Sequence, residues 1–569
     1  MKKAFFLMTL LFYSCSSVRT VPLMKGKDRS TYEAKGREYM ISSQGGASTN
    51  AGVSMFEQGG NIVDAAAAVS FAISVERPQS TGIGGGGFLL FYEPGMKEPI
   101  AFDFREKAPL KSHSKMYLDK NGNEIPRMSL DGIFAVGVPG LVAGIVELHQ
   151  KYGKLPLSKV LAPAIELAEI GFTVYPELSR ALKARAAVLA KYPGSKEIFF
   201  KGDRVMKTGD HLVQTDLGKT LRSIAKDGKR SFYKGWIAKA IVKESWRLGG
   251  LLSLRDFKKY NVKKRKPVFG TYKGKKVYSM TPPSSGGIHV LQILNTVEKE
   301  ELNHYGVHHP FTVHLTSAAM QQAFADRARY LGDMDFVKVP LKSLTSKAYA
   351  DKIRKGIPKE KALTKEQVMA GKFSRKESDH TTHFSIMTAE GSAIVSTQTI
   401  NGWFGSGVVA PGTGIVLNNE MDDFSTKVGA VNLFGAVGGQ NNLVQAEKRP
   451  LSSMSPTLVF DEGRPVFAVG TPSGTRILTC VAQTILNYFE HNLPLYESVA
   501  AVRYHHQWYP DEIRTDHKGL PIATRNSLKK MGYKINRKNL GCRIQAIAWE
   551  RGELHGVSDP RGEGMSLGK

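Results

Sequence analysis

The residues best suited to chemistry are hydroxyls gathered at the mouth of a hairpin. Thr381–Ala389 and Ala393–Ile400 each read as a strand, and Glu390-Gly391-Ser392 between them reads as a tight turn. A turn centred on Glu390 and Gly391 sets Thr399 beside Thr381 and Thr382, with Asn401 just past the strand end. Glu377-Ser378-Asp379-His380 gives a polar approach to Thr381. A threonine hydroxyl is a weak nucleophile and needs a neighbouring base. The same residues equally suit an ordinary surface hairpin, because threonine is common in strands.

Other stretches carry chemistry of their own. Arg105, within the alternating strand pattern Phe102-Asp103-Phe104-Arg105-Glu106, can hold a carboxylate bidentately or pair with Asp103 or Glu106. Glu420-Met421-Asp422-Asp423 could suit a divalent metal, yet it lacks the calcium-loop pattern and has no histidine beside it. Gly470-Thr471-Pro472-Ser473-Gly474 leads into a helix over Thr475–Glu490, and a turn there exposes backbone N–H groups that suit an oxyanion. Thr81–Gly87 (TGIGGGG) lies between a helix and the strand Phe88–Tyr92, the reverse of a dinucleotide fingerprint. Close backbone approach or a pocket wall is the better account of its glycines. His505-His506 lack a partner at metal spacing and read as structural.

The surrounding pattern is that of a mixed helix and sheet protein. Helical spacing runs through Ala47–Gln58, Ala65–Val75, Leu141–Tyr152, Leu161–Ile170, Ile288–Leu302 and Phe311–Tyr330. Asn61 caps the second of these, with Asp64 in its first turn. Strand patterns follow at Val277–Ser279, Ile415–Leu417, Thr457–Phe460 and Pro465–Val469, and Pro282–Gly287 makes a rigid turn. The charged stretch 354–378 reads as weakly packed, a place where a cut would spare the core.

At 569 residues the chain can bury a large core. Its net charge of +28 is scattered, apart from a run over Arg255–Lys276, and no nucleic-acid motif accompanies it. A solvated basic face is expected and nucleic acid is not. Lys2-Lys3, the apolar Ala4–Tyr13 and Ser14-Cys15-Ser16-Ser17 read as a secretory leader over 1–17, with lipid attachment at Cys15 as an alternative ending. A periplasmic or secreted location follows. Beyond Cys15 only Cys480 and Cys542 remain, so the globular part holds one disulfide or two buried thiols. No zinc spacing occurs, and no metal or cofactor is expected.

Taken together, GGNIVDAAAAV, GIGGGGF, DFREKAP, VGVPG, TPPSSGG, AFADRARYLGD, TTHFS, LNNEMDDFS, RPLSSMSPT and SDPR make the chain resemble the γ-glutamyltransferase (glutathione hydrolase) precursors of bacteria, from about residue 38 to 561. The resemblance implies an α+β N-terminal-nucleophile hydrolase fold, a four-layer αββα sandwich with two stacked antiparallel sheets. It implies self-cleavage between His380 and Thr381, into a large fragment 38–380 and a small fragment 381–569 that stay in one globular body. Thr381 would then be the nucleophile with its own α-amine as base, a group that titrates at about 7.7–8.0 when unperturbed. By the same resemblance Thr399 orients the Thr381 hydroxyl, and N–H groups of Ser473 and Gly474 hold the oxyanion. Arg105, Ser452 and Ser453 receive the substrate α-carboxylate, and Asn401, Glu420 and Asp423 its α-ammonium. Glutathione and other γ-glutamyl compounds are the implied donors, with water, an amino acid or a dipeptide as acceptor.

The chain departs from the family pattern in places. Ser473 stands where a glycine is common, Glu420 where several bacterial relatives have glutamine, and Phe434 where some bacterial members place a lid tyrosine. Two rival readings keep different chemistry: an acylase for glutaryl-type side chains using the same Thr381, and an uncleaved binding protein using the basic face.

Overall fold

Two seven-stranded antiparallel sheets occupy the centre of the computed structural model, which describes residues 28–368 and 381–569. The expected leader, Cys15 and His380 lie outside the described residues. In spatial order the first sheet runs Met565–Gly568, Tyr39–Ser43, Thr382–Thr388, Ala393–Thr399, Gly86–Tyr92, Ile100–Asp103 and Lys263–Arg265. The second runs Glu33–Gly36, Glu553–Ser558, Gln545–Glu550, Arg464–Gly470, Thr457–Asp461, Lys275–Ser279 and Val268–Tyr272.

Strand periodicity explains the layers. Along Gly86–Tyr92, Phe88 and Leu90 point between the sheets, where they join Met40, Met387, Val395, Ala468 and Ile547, whereas Phe467 faces Tyr488 and Phe489 on the covering helix. Leu89 and Phe91 point the other way, with Phe384, Ile386 and Ile394, onto the helices Gly46–Glu57, Ile62–Glu76 and Leu141–Tyr152. A strand buried on both faces needs an unbroken apolar run, which Phe88–Tyr92 supplies. The second sheet is covered by Gly286–Val297, Pro310–Tyr330 and Arg476–Phe489, whose apolar faces complete the same core. Each such side chain contributes about 1.5–3 kcal/mol on burial. Helix, sheet, sheet, helix is the expected four-layer order.

Local signals hold at several positions. Asn61 accepts from Val63 and Asp64 N–H at 3.0 and 3.1 Å, and Asp64 accepts from Asn61 N–H at 2.8 Å, so the predicted cap is a reciprocal box. Cys480 and Cys542 form a disulfide. Two expectations need correction. The described part of the charged stretch is held against the body: Trp508 donates to the Lys365 carbonyl at 3.0 Å, His314 Nε2 meets the Pro358 carbonyl at 2.7 Å, and Val368 is buried. Buried donors on other elements take its backbone carbonyls, so little apolar content is needed to fix it. The basic run is also not wholly a solvated face, because Arg265 is buried in ion pairs with Asp103 and Asp335 at 2.7 and 3.0 Å.

Candidate active site

Thr381 directly precedes the strand Thr382–Thr388 and is buried. The hairpin register is displaced by one from the expectation: Thr382 opposes Gln398, and Met387 opposes Ala393. The turn closes with Gly391 at φ 100° and its N–H on the Thr388 carbonyl at 3.0 Å. Thr381 and Thr399 line one pocket with Arg105, Asn401, Glu420, Asp423, Ser452, Ser453 and Gly474. These side chains leave about 10 Å³ between them, about one water-sized sphere.

The glycine run positions the Thr399 end of this pocket. The Ala393–Thr399 strand pairs along Gly86–Tyr92, with Thr399 opposite Gly86. A Cβ on Gly85 or Gly87 would strike the carbonyl of Thr399 or Thr397, and one on Gly84 that of Val416. The run is therefore a surface for close backbone packing, not a phosphate cradle. Thr399 Oγ1 accepts from Asn401 N–H at 2.7 Å, and Asn401 sits at φ 70°, a conformation asparagine tolerates better than most residues. Its amide nitrogen donates to the Asn419 carbonyl at 2.9 Å, which orients Oδ1 as the free acceptor.

Arg105 lies beyond its strand, which ends at Asp103 because the Asp103 carboxylate accepts from Arg105 N–H at 3.0 Å and turns the chain. The guanidinium is buried and donates to Glu420, to Asp423 at 2.5 Å and to the Pro450 carbonyl at 3.3 Å. Glu420 and Asp423 sit at the two ends of one short 3-10 turn and both face Arg105, so the acids do not converge on a metal. Asp422 faces away and accepts from Ser129 Oγ and Leu433 N–H, each at 2.7 Å. Burial pushes Asp422 up to about 7.

One arginine here meets more carboxyls than it can balance. Glu106 is fully buried and 3.9 Å from Arg105 Nη1, and neither of its carboxyl oxygens has a hydrogen-bond partner among the described residues. Burial raises Glu106 to about 7 against the pull of Arg105, and Glu420 is pushed well above the usual carboxylate range for the same reason. Two neighbouring buried carboxyls each disfavour ionisation of the other.

The serine pair is held from outside the loop. Ser452 N–H donates to the Pro283 carbonyl at 2.7 Å, and the Ser452 carbonyl accepts from Ser285 N–H at 2.8 Å, which gives the rigid Pro282–Gly287 turn its purpose. Arg327 also lines the pocket, although residue types and spacing alone do not single it out. It donates to Ser285 Oγ at 3.2 Å and to the Leu451 carbonyl at 3.4 Å. Burial lowers it to about 10, with Asp423 opposing that shift and Arg105 adding to it. Its one sequence signal is the AFADRARYLGD block, which names no role for it.

Ser473 lies at φ 119° and Gly474 at φ 54°. The helix ladder begins with Arg476 N–H on the Ser473 carbonyl and Ile477 N–H on that of Gly474, so the N–H groups of Ser473 and Gly474 precede it. Gly474 borders the pocket, whereas the Ser473 side chain turns outward to the Leu540 carbonyl at 2.5 Å. Phe434 packs so closely on Gly474 that a Cβ there would strike its ring. Next to Phe434, Gln507 Nε2 donates to the Gly435 carbonyl at 3.1 Å.

Two stacked antiparallel sheets between helical layers, with a threonine opening a central strand of one sheet, define an N-terminal-nucleophile hydrolase fold. Residues 48–568 match the family profile described as Gamma-glutamyltranspeptidase, and the chain belongs to that family. It is 42% identical over 559 residues to the glutathione hydrolase proenzyme of Escherichia coli (strain K12), covering 97% of this chain and 96% of that one. The crystal structure of Helicobacter pylori gamma-glutamyltranspeptidase is 44% identical, with a TM-score of 0.56, covering 57% of this chain and 93% of that one. That of cephalosporin acylase from Bacillus halodurans is 26% identical, with a TM-score of 0.84 and 99% coverage of each chain.

Proposed function

We propose that Thr381, released as an N-terminus, carries a γ-glutamyl group from glutathione and related donors to water or to an amino-acid or dipeptide amine. The chain is an autoprocessed γ-glutamyltransferase and glutathione hydrolase. The observation that carries the site assignment is one guanidinium, Arg105, set against two carboxyls, Glu420 and Asp423, beside Thr381. That is the charge pattern of a zwitterionic α-amino acid. A donor enters by taking over these pairs: its α-carboxylate goes to Arg105, Ser452 and Ser453, and its α-ammonium to Glu420, Asp423 and Asn401 Oδ1. Its γ-carbonyl then reaches Thr381.

The chemistry follows from the positions. The Thr381 hydroxyl attacks the γ-carbonyl while the α-amine takes its proton, and the oxyanion forms against the N–H groups of Ser473 and Gly474. Collapse expels the protonated amine and leaves a γ-glutamyl ester. Water or a second amine opens that ester and restores the hydroxyl. Thr399 orients Thr381. Before maturation the Thr381 nitrogen is an amide and cannot serve as base, so cleavage after His380 creates the catalyst. In that step the same hydroxyl attacks the His380 carbonyl, and water resolves the resulting ester.

The fragments 38–380 and 381–569 remain associated after scission. Supporting this, Thr382–Thr388 pairs with Tyr39–Ser43, and Ala393–Thr399 pairs with Gly86–Tyr92, so both small-fragment strands are flanked by the large one. Among the described residues no helix is long and apolar enough to cross a membrane, and the leader over 1–17 supports export to the periplasm or beyond.

A glutaryl acylase is the second reading, favoured by the likeness to the cephalosporin acylase. A glutaryl group has no ammonium and would leave Glu420 and Asp423 without its partner charge. Rates on γ-glutamyl-anilide and glutaryl-anilide separate the two: the first compound should be cleaved at least a hundredfold better, and preference for the second would sink the proposal.

A further inference from the structure

We infer that residues 540–543 brace the oxyanion turn and that the Ser473 hydroxyl is a positioning group which fixes the N–H donors of Ser473 and Gly474. The inference rests on the proposal that these two N–H groups bind the oxyanion. The turn and the brace leave the second sheet side by side, because Gly470 at the end of one strand is paired with Gln545 at the start of its neighbour. Three ties then join them. Arg543 N–H donates to Thr471 Oγ1 at 2.7 Å, at the entry of the turn. Ser473 Oγ donates to the Leu540 carbonyl at 2.5 Å, at its centre. Cys542 is bonded to Cys480, which lies on the helix Arg476–Phe489 that the turn begins.

The middle tie explains why a serine is accommodated there. At φ 119° an L side chain is unfavourable, and such a conformation persists only where its surroundings over-determine it. The hydroxyl does this by anchoring to a carbonyl outside the turn and by accepting from Arg476 Nε at 3.3 Å. With glycine at 473 the backbone would be at ease but unanchored, free to rotate its N–H away from the developing charge. The disulfide holds the other side of the brace to the helix. Cys480 and Cys542 are 0% and 1% exposed, so a thiol as large as glutathione has no access to their bond in the closed fold.

The test uses the processed enzyme and Ser473→Gly, which keeps the N–H and suits the positive φ while removing only the anchor. Cys480→Ala combined with Cys542→Ala removes the third tie separately. The readouts are kcat and KM for γ-glutamyl-p-nitroanilide, and the inhibition constants of glutamate and of its γ-boronic acid analogue, which forms a tetrahedral adduct on the Thr381 hydroxyl. A displaced donor should cost less than the hundredfold or more lost on deleting one, so Ser473→Gly should lower kcat about tenfold. KM and glutamate affinity should stay within about twofold, and the boronate should weaken in step with kcat. The cysteine pair should shift in the same direction. Wild-type kcat and boronate affinity in Ser473→Gly would overturn the brace. A wild-type enzyme that binds boronate no better than glutamate would overturn the oxyanion assignment itself, and the brace with it.

Discussion

Arg105 donates to Asp423 at 2.5 Å inside the pocket that holds Thr381, so the proposed carboxylate clamp and a proposed ammonium acceptor face each other directly. Each is the other's counter-ion, and a zwitterion can replace both contacts at once. A donor lacking either charge would leave one buried ion unpaired.

Arg105→Lys should therefore not be conservative, because an ammonium cannot span Glu420 and Asp423 as the guanidinium fork does. KM for γ-glutamyl-p-nitroanilide should rise about a hundredfold, about 2.7 kcal/mol, with a smaller change in kcat. An unchanged KM would remove Arg105 from the donor site.

Glu420→Gln discriminates between donor classes. It replaces the carboxyl at the proposed ammonium position with an amide that still accepts from Arg105. Activity on γ-glutamyl-anilide should fall about tenfold and that on glutaryl-anilide should hold or rise, measured as kcat/KM. Equal losses on both would mean that Glu420 does not recognise the ammonium.

The pocket should also carry a pH signature. Glu106 is held up to about 7 from an ordinary 4.5, so between those values the folded chain keeps a proton that the unfolded chain has lost. Its contribution to stability thus falls as pH rises through that window. Glu106→Gln cannot ionise, so relative to wild type it should gain about 1–3 kcal/mol between pH 5 and pH 8. Denaturant melts at the two pH values check this, and parallel losses in both proteins would contradict it.

Gly85→Ala tests the close packing beneath Thr399. Its methyl would strike the Thr399 carbonyl, an overpacking that costs about 1–3 kcal/mol and moves the strand end. Lower unfolding temperature and slower maturation should appear together; a variant that matures at the wild-type rate would show that this contact does not set the Thr399 position.

Much of the fold and site is legible in the sequence where the determinants are local. The hairpin, its turn and the capping box depend on neighbouring residues, so Gly391 and Asn61 declare themselves. The family blocks bring together Arg105, Glu420, Asp423 and the serine pair, which the structure places in one pocket. The remaining features depend on contacts far along the chain. Asp422 and Asp423 are adjacent, yet opposite sides of a 3-10 turn send one to Leu433 and the other to Arg105. Arg327 comes from a helix whose pattern shows only that it is buried. Ser473 can be judged as a backbone donor, but its hydroxyl's partner, Leu540, is set by the pairing of Gly470 with Gln545.

The whole mechanism turns on Thr381 becoming an N-terminus and then acting as nucleophile. Intact mass and N-terminal sequencing of the purified protein, compared with Thr381→Ala, test this without intermediaries. The wild type should yield a small fragment beginning Thr-Thr-His-Phe-Ser, the same fragment should appear more slowly in Thr399→Ala, and Thr381→Ala should show neither cleavage nor turnover. A wild-type chain that turns over γ-glutamyl-anilide while still joined at residues 380 and 381 would contradict it.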